Sequence, residues 1–336
     1  MICVIGKRLW AGMAAVAGVL LSATTALATP VAGQIVGWGS DQHGQMSDIP
    51  TGDDFIAVAA GYYHGLALRQ DGTIVSWGND EFNQVSNTPT GNDFIAITAY
   101  RSTNLALRSD GTIEVWGEDY NGVVASKPGD GGYTAIGAGT GYGMAVRQDG
   151  TVAAWGLAPG AAPGGNDYVA AAGGVWHAVM LRSDGSLDVW GNSDAFGLLS
   201  GAPVGNDFIA VAANDFHSLA LRSDGTVAGW GYDHRGQVSN TPNDVIAIAV
   251  GVFHSLALRS DGTVVSWGSD DFGLVTSTPQ DDGFIAIAAG TSLNLAIRGV
   301  EAAPVGPVTP GVPEPASAAL VGMGAFVLFA RRLRSA

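Results

Sequence analysis

Residues 55–78 read FIAVAAGYYHGLALRQDGTIVSWG, and variants of this stretch recur along the whole chain. It opens on an apolar run, Phe55–Ala60, continues with Leu66-Ala67-Leu68-Arg69, and ends with Thr73-Ile74-Val75-Ser76-Trp77 before Gly78. Asp71-Gly72 stands between the second and third runs. Asp-Gly flanked by apolar runs is a strong hairpin signal, because glycine takes the positive φ that a tight turn demands. The stretch therefore predicts three short antiparallel strands. A fourth, short edge strand is expected around Gln84-Val85-Ser86, ahead of Pro89, since proline suits an edge or a loop.

Seven apolar runs of the first type begin at Phe55, Phe94, Tyr133, Tyr168, Phe208, Val245 and Phe284. Seven Trp-Gly pairs carry Trp at 38, 77, 116, 155, 190, 230 and 267. Each of the first six runs lies 22 residues before a Trp, whereas the gap from Trp to the next run varies from 13 to 18. A module of fixed length joined by a connection of variable length is the behaviour of a packed unit with a tolerant surface loop.

The first strand is apolar on both faces and rich in Ala and Gly, which suits sheets stacked face to face, as in a propeller, rather than a sheet with one wet face. The ends decide between a ring and an open solenoid. Trp38-Gly39 has no first or second strand before it, and the last unit, Phe284 to Arg298, has those strands but no Asp-Gly or Trp-Gly. Each end holds what the other lacks, so a ring closed by pairing the two removes exposed sheet edges. The expected fold is all-β: a seven-bladed β-propeller over 31–298, closed by pairing of N- and C-terminal strands, plus one C-terminal transmembrane helix.

The pattern Gly61-x-x-His64-x-Leu66-x-Leu68 with Asp71-Gly72 and Trp77-Gly78, and Trp230-Gly231 with Gly236-Gln237, resembles the regulator-of-chromosome-condensation repeat. The resemblance covers about 34 to 298, and the 39-residue period of 55 to 94 is similar to that of compact bacterial members such as the propeller-type β-lactamase inhibitor protein. It implies a propeller that binds partners. The segment after the fourth Trp-Gly departs most, since Leu157 to Gly165 replaces the Asp-x-x-Gly-Gln pattern with Ala, Pro and Gly.

Both ends read as addresses. Lys7 and Arg8, the apolar run from Leu9 to Leu21 and Ala26-Leu27-Ala28 form a secretory signal peptide over 1–28, with cleavage expected after Ala28. At the other end, 299–315 is a Pro-rich linker, 316–330 an apolar run expected to form the transmembrane helix, and 331–336 a basic tail placed in the cytoplasm. Pro313-Glu314-Pro315 followed by an apolar stretch and terminal arginines resembles the PEP-CTERM sorting signal of Gram-negative bacteria. That resemblance implies an exosortase-type sorting peptidase as partner, a transient stay in the inner membrane, and delivery to the cell surface or extracellular polymer matrix.

The 336 residues include 30 acids, 15 bases and 47% hydrophobic residues. Residues 29–300 hold 28 of the acids and 10 of the bases, a net charge of −18, which argues against nucleic acid as partner. Cys3 is the single cysteine and falls in the signal peptide, so neither a disulfide framework nor a thiolate zinc site is expected.

Antiparallel strands put the loop after strand one and the segment after Trp-Gly on one rim of the ring, and the Asp-Gly turns on the other. The first rim collects aromatics, and Tyr62, Tyr63, Phe82, Tyr120, Trp176, Phe216, Tyr232, Phe253 and Phe272 form the candidate binding face. It also collects acids, among them Asp41, Asp80, Glu81, Glu118, Asp119, Asp233, Asp270 and Asp271, but no Asp-x-Asp-x-Asp-Gly run that would specify calcium. His64, His177, His217 and His254 share one repeat position with Thr103, Tyr142 and Leu293, which suits a hydrogen bond to a neighbouring loop better than a metal site. Arg69, Arg108, Arg147, Arg182, Arg222, Arg259 and Arg298 recur beside the turns and are expected to pair with nearby acids. An anion site is the other reading. No hydrolase elbow, zinc-protease motif or phosphate loop is found, so neither a catalytic residue nor a cofactor is expected.

These features point to a non-enzymatic exported propeller that binds a surface protein or an exopolysaccharide through its loop face. Two alternatives remain open: a periplasmic enzyme-inhibitor or protein-binding module, and a polysaccharide or lactone hydrolase with an acidic site on the ring axis.

Overall fold

The computed structural model describes residues 31–300, and these are β-structure throughout, apart from turns and three 3-10 segments of three residues each. The 22-residue spans fold as three-stranded antiparallel units, numbered here from the chain start: 55–78, 94–117, 133–156, 168–191, 208–231 and 245–268. In the first, Phe55–Ala60 pairs with His64–Arg69, which pairs with Ile74–Gly78. The seventh unit is composite. Phe284–Ala289 pairs with Leu293–Gly299, and Leu293–Gly299 pairs with Gly33–Gly39 over seven residues, from Gly33↔Gly299 to Gly39↔Leu293. The first and last strands of the described residues thus share one sheet.

Three corrections to the sequence reading follow. There are six sheets rather than seven separate blades, because the seventh and first units join into one six-stranded sheet through the single bridge Gly33↔Phe55. Only glycine fits at that junction: a Cβ on Gly33 would lie 1.9 Å from the carbonyl oxygen of Arg298. The transmembrane helix is not part of this fold, since no helix of the described residues is long and apolar enough to cross a membrane. The segment expected to form it, 316–330, lies outside the described residues, and its fifteen residues would rise about 22 Å against a hydrocarbon core of about 30 Å. Finally, Gln84-Val85-Ser86 forms a turn instead of an edge strand. Asp80 Oδ1 accepts the backbone N–H groups of Val85 and Ser86 at 2.8 and 2.9 Å and pulls the segment out of the sheet.

The core lies between neighbouring units. Side chains from both faces of strands one and two, such as Phe55, Leu66, Leu68, Leu105, Met144, Met180 and Leu219, are almost fully buried. The repeat Trp locks the seams. Its indole N–H donates to a turn carbonyl of the preceding unit: Trp77 to Gln45, Trp116 to Gln84, Trp155 to Val123, Trp230 to Leu198, Trp267 to Gln237, and across the closure Trp38 to Leu274, all at 2.8–3.0 Å. In the Asp-Gly turns, Asp71 Oδ1 accepts the backbone N–H and hydroxyl of Thr73 at 2.9 and 2.7 Å, while Gly72 takes φ +82°. The recurring arginines sit beside these turns. Arg69, for example, pairs with Asp54 at 2.6 Å and stacks on the Phe55 ring, and five of the other six repeat both contacts with equivalent partners. Arg259 has Val245 where its counterparts have an aromatic ring, and so has nothing to stack on.

Candidate functional site

The loop face gathers the aromatics unevenly. Trp176, Phe216, Phe253 and Tyr232 from units four to six form one contiguous patch with Phe196. The Trp176 and Phe253 rings both lie 5.6 Å from Phe216, the latter stacked at 13°, and Phe196 meets Tyr232 edge-on at 5.0 Å. Tyr62 and Tyr63 make a second, smaller group with His43, at ring distances of 6.2 and 5.0 Å. Phe82, Tyr120 and Phe272 stand apart as exposed rings without a ring partner among the described residues. Ala28 and Pro313-Glu314-Pro315 lie outside the described residues.

The acids of this rim mostly hold their own turns. Asp41, Asp80, Asp119, Asp194, Asp233 and Asp270 each accept backbone N–H groups five or six residues ahead. Backbone N–H groups of Ser47, Ser200 and Thr276 keep the carboxyls of Asp41, Asp194 and Asp270 below the usual range. Among the described residues, no group of three His, Cys, Asp or Glu side chains could hold a metal ion.

The repeated histidines are buried links between units. His64 Nε2 lies 2.7 Å from Asn104 Oδ1, His177 Nε2 2.6 Å from Ser218 Oγ, His217 Nε2 2.9 Å from Ser255 Oγ, and His254 Nε2 2.7 Å from Asn294 Oδ1. Asn104 then donates to the carbonyl of Gln84, the same oxygen that Trp116 caps. Ser255 and Asn294 do likewise with Gln237 and Leu274. Burial pushes these imidazoles down, to about 4 for His64, His177 and His254 and about 3 for His217. The neutral rings of His64, His217 and His254 therefore donate from Nε2, as Asn104, Ser255 and Asn294 require, their own donors being spent on carbonyls. A signal for this link stood in the sequence. The residue after this position in the next unit is Asn or Ser wherever His occurs, and Gly or Ala (Gly143, Ala178, Gly65) after Thr103, Tyr142 and Leu293.

The axis of the loop face holds a cluster that sequence reasoning missed. Two residues before the His position stand Tyr62, Arg101, Thr140, Val175, Asp215, Val252 and Thr291, one per unit. Only Arg101 and Asp215 are charged, and they meet across the ring at 3.4 Å. Asp215 is 3% exposed and also accepts the phenols of Tyr62, at 3.3 Å, and of Tyr100. Burial, reinforced by the Asp215 carboxylate, raises both phenols far above their ordinary value, so they stay protonated as donors. Beneath this plug runs a narrow axial cavity of about 70 Å³, lined largely by small residues such as Ala59, Ala99, Ala138, Ala172, Ala212 and Ala288. The lone opposite pair in an otherwise neutral column was the available signal; its 114-residue separation concealed it.

Comparison with known proteins matches this architecture. The family model for the regulator of chromosome condensation (RCC1) repeat matches residues 55–84, 208–237 and 245–274. No curated protein matches in sequence. Among solved structures, Prp20p from Saccharomyces cerevisiae superposes with a TM-score of 0.67 at 18% identity, covering 84% of this chain and 94% of its own. Human WBSCR16 gives 0.63 at 15% identity, covering 74% and 88%. The ectodomain of the receptor kinase CR4 from Physcomitrella patens gives 0.60 at 22% identity, covering 70% and 68%. At these identities the likeness is one of fold.

Proposed function

We propose that this RCC1-like repeat propeller is a non-enzymatic binding module, exported and sorted to the cell surface or extracellular polymer by its PEP-CTERM-like tail, and that it docks a protein partner through the aromatic sector of units four to six. The contiguous patch of Trp176, Phe196, Phe216, Tyr232 and Phe253 carries this reading. Large rings clustered on loops of a rigid scaffold supply apolar contact area at low entropic cost.

Backbone geometry supports it. Phe196 and Phe272 hold φ +62° two residues after the turn aspartates Asp194 and Asp270, a position where Asn121 takes the same conformation after Asp119. A left-handed phenylalanine costs roughly 1–2 kcal/mol, and burial does not recover it here, since the rings are 51% and 54% exposed. A structural neighbour also has protein partners: Prp20p is described by its binding to Gsp1p and histones. The −18 net charge of residues 29–300 favours a basic protein surface over an acidic one.

The test uses the full chain in its own cells. Trp176→Ser with Phe253→Ser should lower the surface-retained fraction several-fold at an unchanged unfolding midpoint, and loss of the sorting peptidase should move the protein from the surface and alter its intact mass. Unchanged retention in the double variant would remove the docking sector. Unchanged location and mass without the peptidase would remove the sorting claim.

A further inference from the structure

Two charged side chains at the seam between units two and three, Glu118 and Arg101, keep unused hydrogen-bonding capacity beside one pocket. Glu118 contributes its backbone carbonyl to the Thr103 hydroxyl, and its carboxylate joins no hydrogen bond or ion pair among the described residues. Arg101 gives one guanidinium N–H to Asp215, and its Nε is buried with no partner. Both line a pocket of about 160 Å³ at the axial end of the seam between units two and three, together with Tyr100, Tyr120, Gly139 and Gly141.

The pocket is built rather than incidental. Arg101 is held at φ +52°. Tyr120, 51% exposed, lies against Gly141, where a Cβ would come within 2.8 Å of the ring, so a glycine at φ +69° keeps both ring and pocket in place. We propose that this pocket binds a single neutral sugar residue, a reading that rests on the loop face being the binding face but not on the aromatic sector of units four to six. A cavity of roughly 150 Å³ accommodates one six-membered ring, which sets the scale of the ligand. Asp215 already compensates the Arg101 charge, and the domain is strongly acidic, so a free anion gains little. A pyranose meets the remaining chemistry. One hydroxyl donates to Glu118, a neighbouring one accepts from Arg101, and the C–H face of the ring lies on Tyr120.

Saturation-transfer NMR and calorimetry on the mature chain, with glucose, galactose, mannose and N-acetylglucosamine as probes and glycine as a zwitterionic competitor, test the assignment. At least one sugar should bind with a Kd on the order of millimolar. Glu118→Gln and Tyr120→Ala should each weaken it about tenfold or more, the loss expected when a charge-assisted hydrogen bond or a stacking face is removed. Glu81→Gln, an exposed acid of the same rim, should leave it unchanged. No sugar binding, binding that survives both pocket substitutions, or displacement by glycine would each overturn the pocket. If sugar binding fails while surface retention still depends on Trp176 and Phe253, the pocket falls and the docking sector stands.

Discussion

The seam between units six and seven and the seam between units three and four solve one packing problem in opposite ways. In the first, His254 donates to Asn294, Asn294 donates to the Leu274 carbonyl at 3.1 Å, and Trp38 caps the same oxygen. In the second, Tyr142 replaces the histidine and donates across the seam to the His177 carbonyl at 2.8 Å. Ala178 replaces the asparagine, and the Trp190 indole N–H is buried without an acceptor. Close backbone approach near the axis is common to both seams, since a Cβ on Gly251 would lie 2.6 Å from the Gly290 carbonyl oxygen in the first. A Cβ on Gly137 would lie 2.6 Å from the Ala171 carbonyl oxygen, and one on Gly173 2.7 Å from that of Ala138, so only glycine lets these first strands come together. What differs is the polar link, an imidazole relay in one seam and a single phenol hydrogen bond in the other, so acid should strain the first and spare the second.

Acid should separate them most strongly. The seams containing His64, His177, His217 and His254 require neutral imidazoles, whose folded values lie near 3 to 4 against an ordinary 6.5. Between those limits the unfolded chain binds protons that the folded chain refuses. Stability is therefore complete above about pH 6.5 and falls towards pH 4, by up to ~1.4 kcal/mol per pH unit for each histidine. Loss of the depressed turn carboxylates, such as Asp41 and Asp270, adds only below their ordinary value of 3.8. Urea midpoints at pH 7.5 and 4.5 should differ by several kcal/mol in free energy. Hydrogen exchange should show the histidine seams opening first while Met144 and Met180 stay protected. Equal loss of protection at the seam of units three and four would refute the distinction.

The tryptophans offer the next contrast. Trp267 is 6% exposed and donates to Gln237 at 2.8 Å, so Trp267→Ala should cost about 3–5 kcal/mol, the range for a buried aromatic. Trp190 is only half-buried and has no hydrogen bond to lose, so Trp190→Ala should cost about 1–2 kcal/mol less. Denaturant midpoints of the two variants give the comparison directly, and equal costs would mean that the orphan N–H is immaterial.

Much of this was legible because it repeats. The constant span from run to Trp marks the rigid unit, Asp-Gly marks its hairpin, and the anomalous Leu157 to Gly165 segment marks the seam that lacks a capped Trp. The segment around Gln84 was misread because strand and turn differ there by one carboxylate: Asp80 reaches two backbone N–H groups, and local propensity carries no trace of that capture. The axial cluster was hidden for another reason. Arg101 and Asp215 belong to different repeats and become neighbours only when the ring closes, so no local window contains both. The aromatic face was legible as a list; that four of its rings gather on units four to six around Phe196, and that Tyr120 stands alone beside Glu118 and Arg101, is a product of the closed ring.

The smallest effect would sharpen the comparison most. Replacing residues 157–165 with the sequence of 79–91 restores the 17-residue gap from Trp to the next run that follows Trp77, in place of the 13 after Trp155. It also supplies the missing pieces: an aspartate to bend the turn, as Asp80 does, and a carbonyl in the place of Gln84 to meet the Trp190 N–H. One new buried hydrogen bond contributes about 1 kcal/mol net, while lengthening the loop by four residues costs only a few tenths. The graft should therefore raise the unfolding free energy by something under ~1 kcal/mol and slow exchange of the Trp190 indole proton far more visibly than it moves the midpoint. If that proton exchanges as fast as before, the acceptor has not been delivered, and the seam's openness comes from the strands of unit four rather than from the missing turn of unit three.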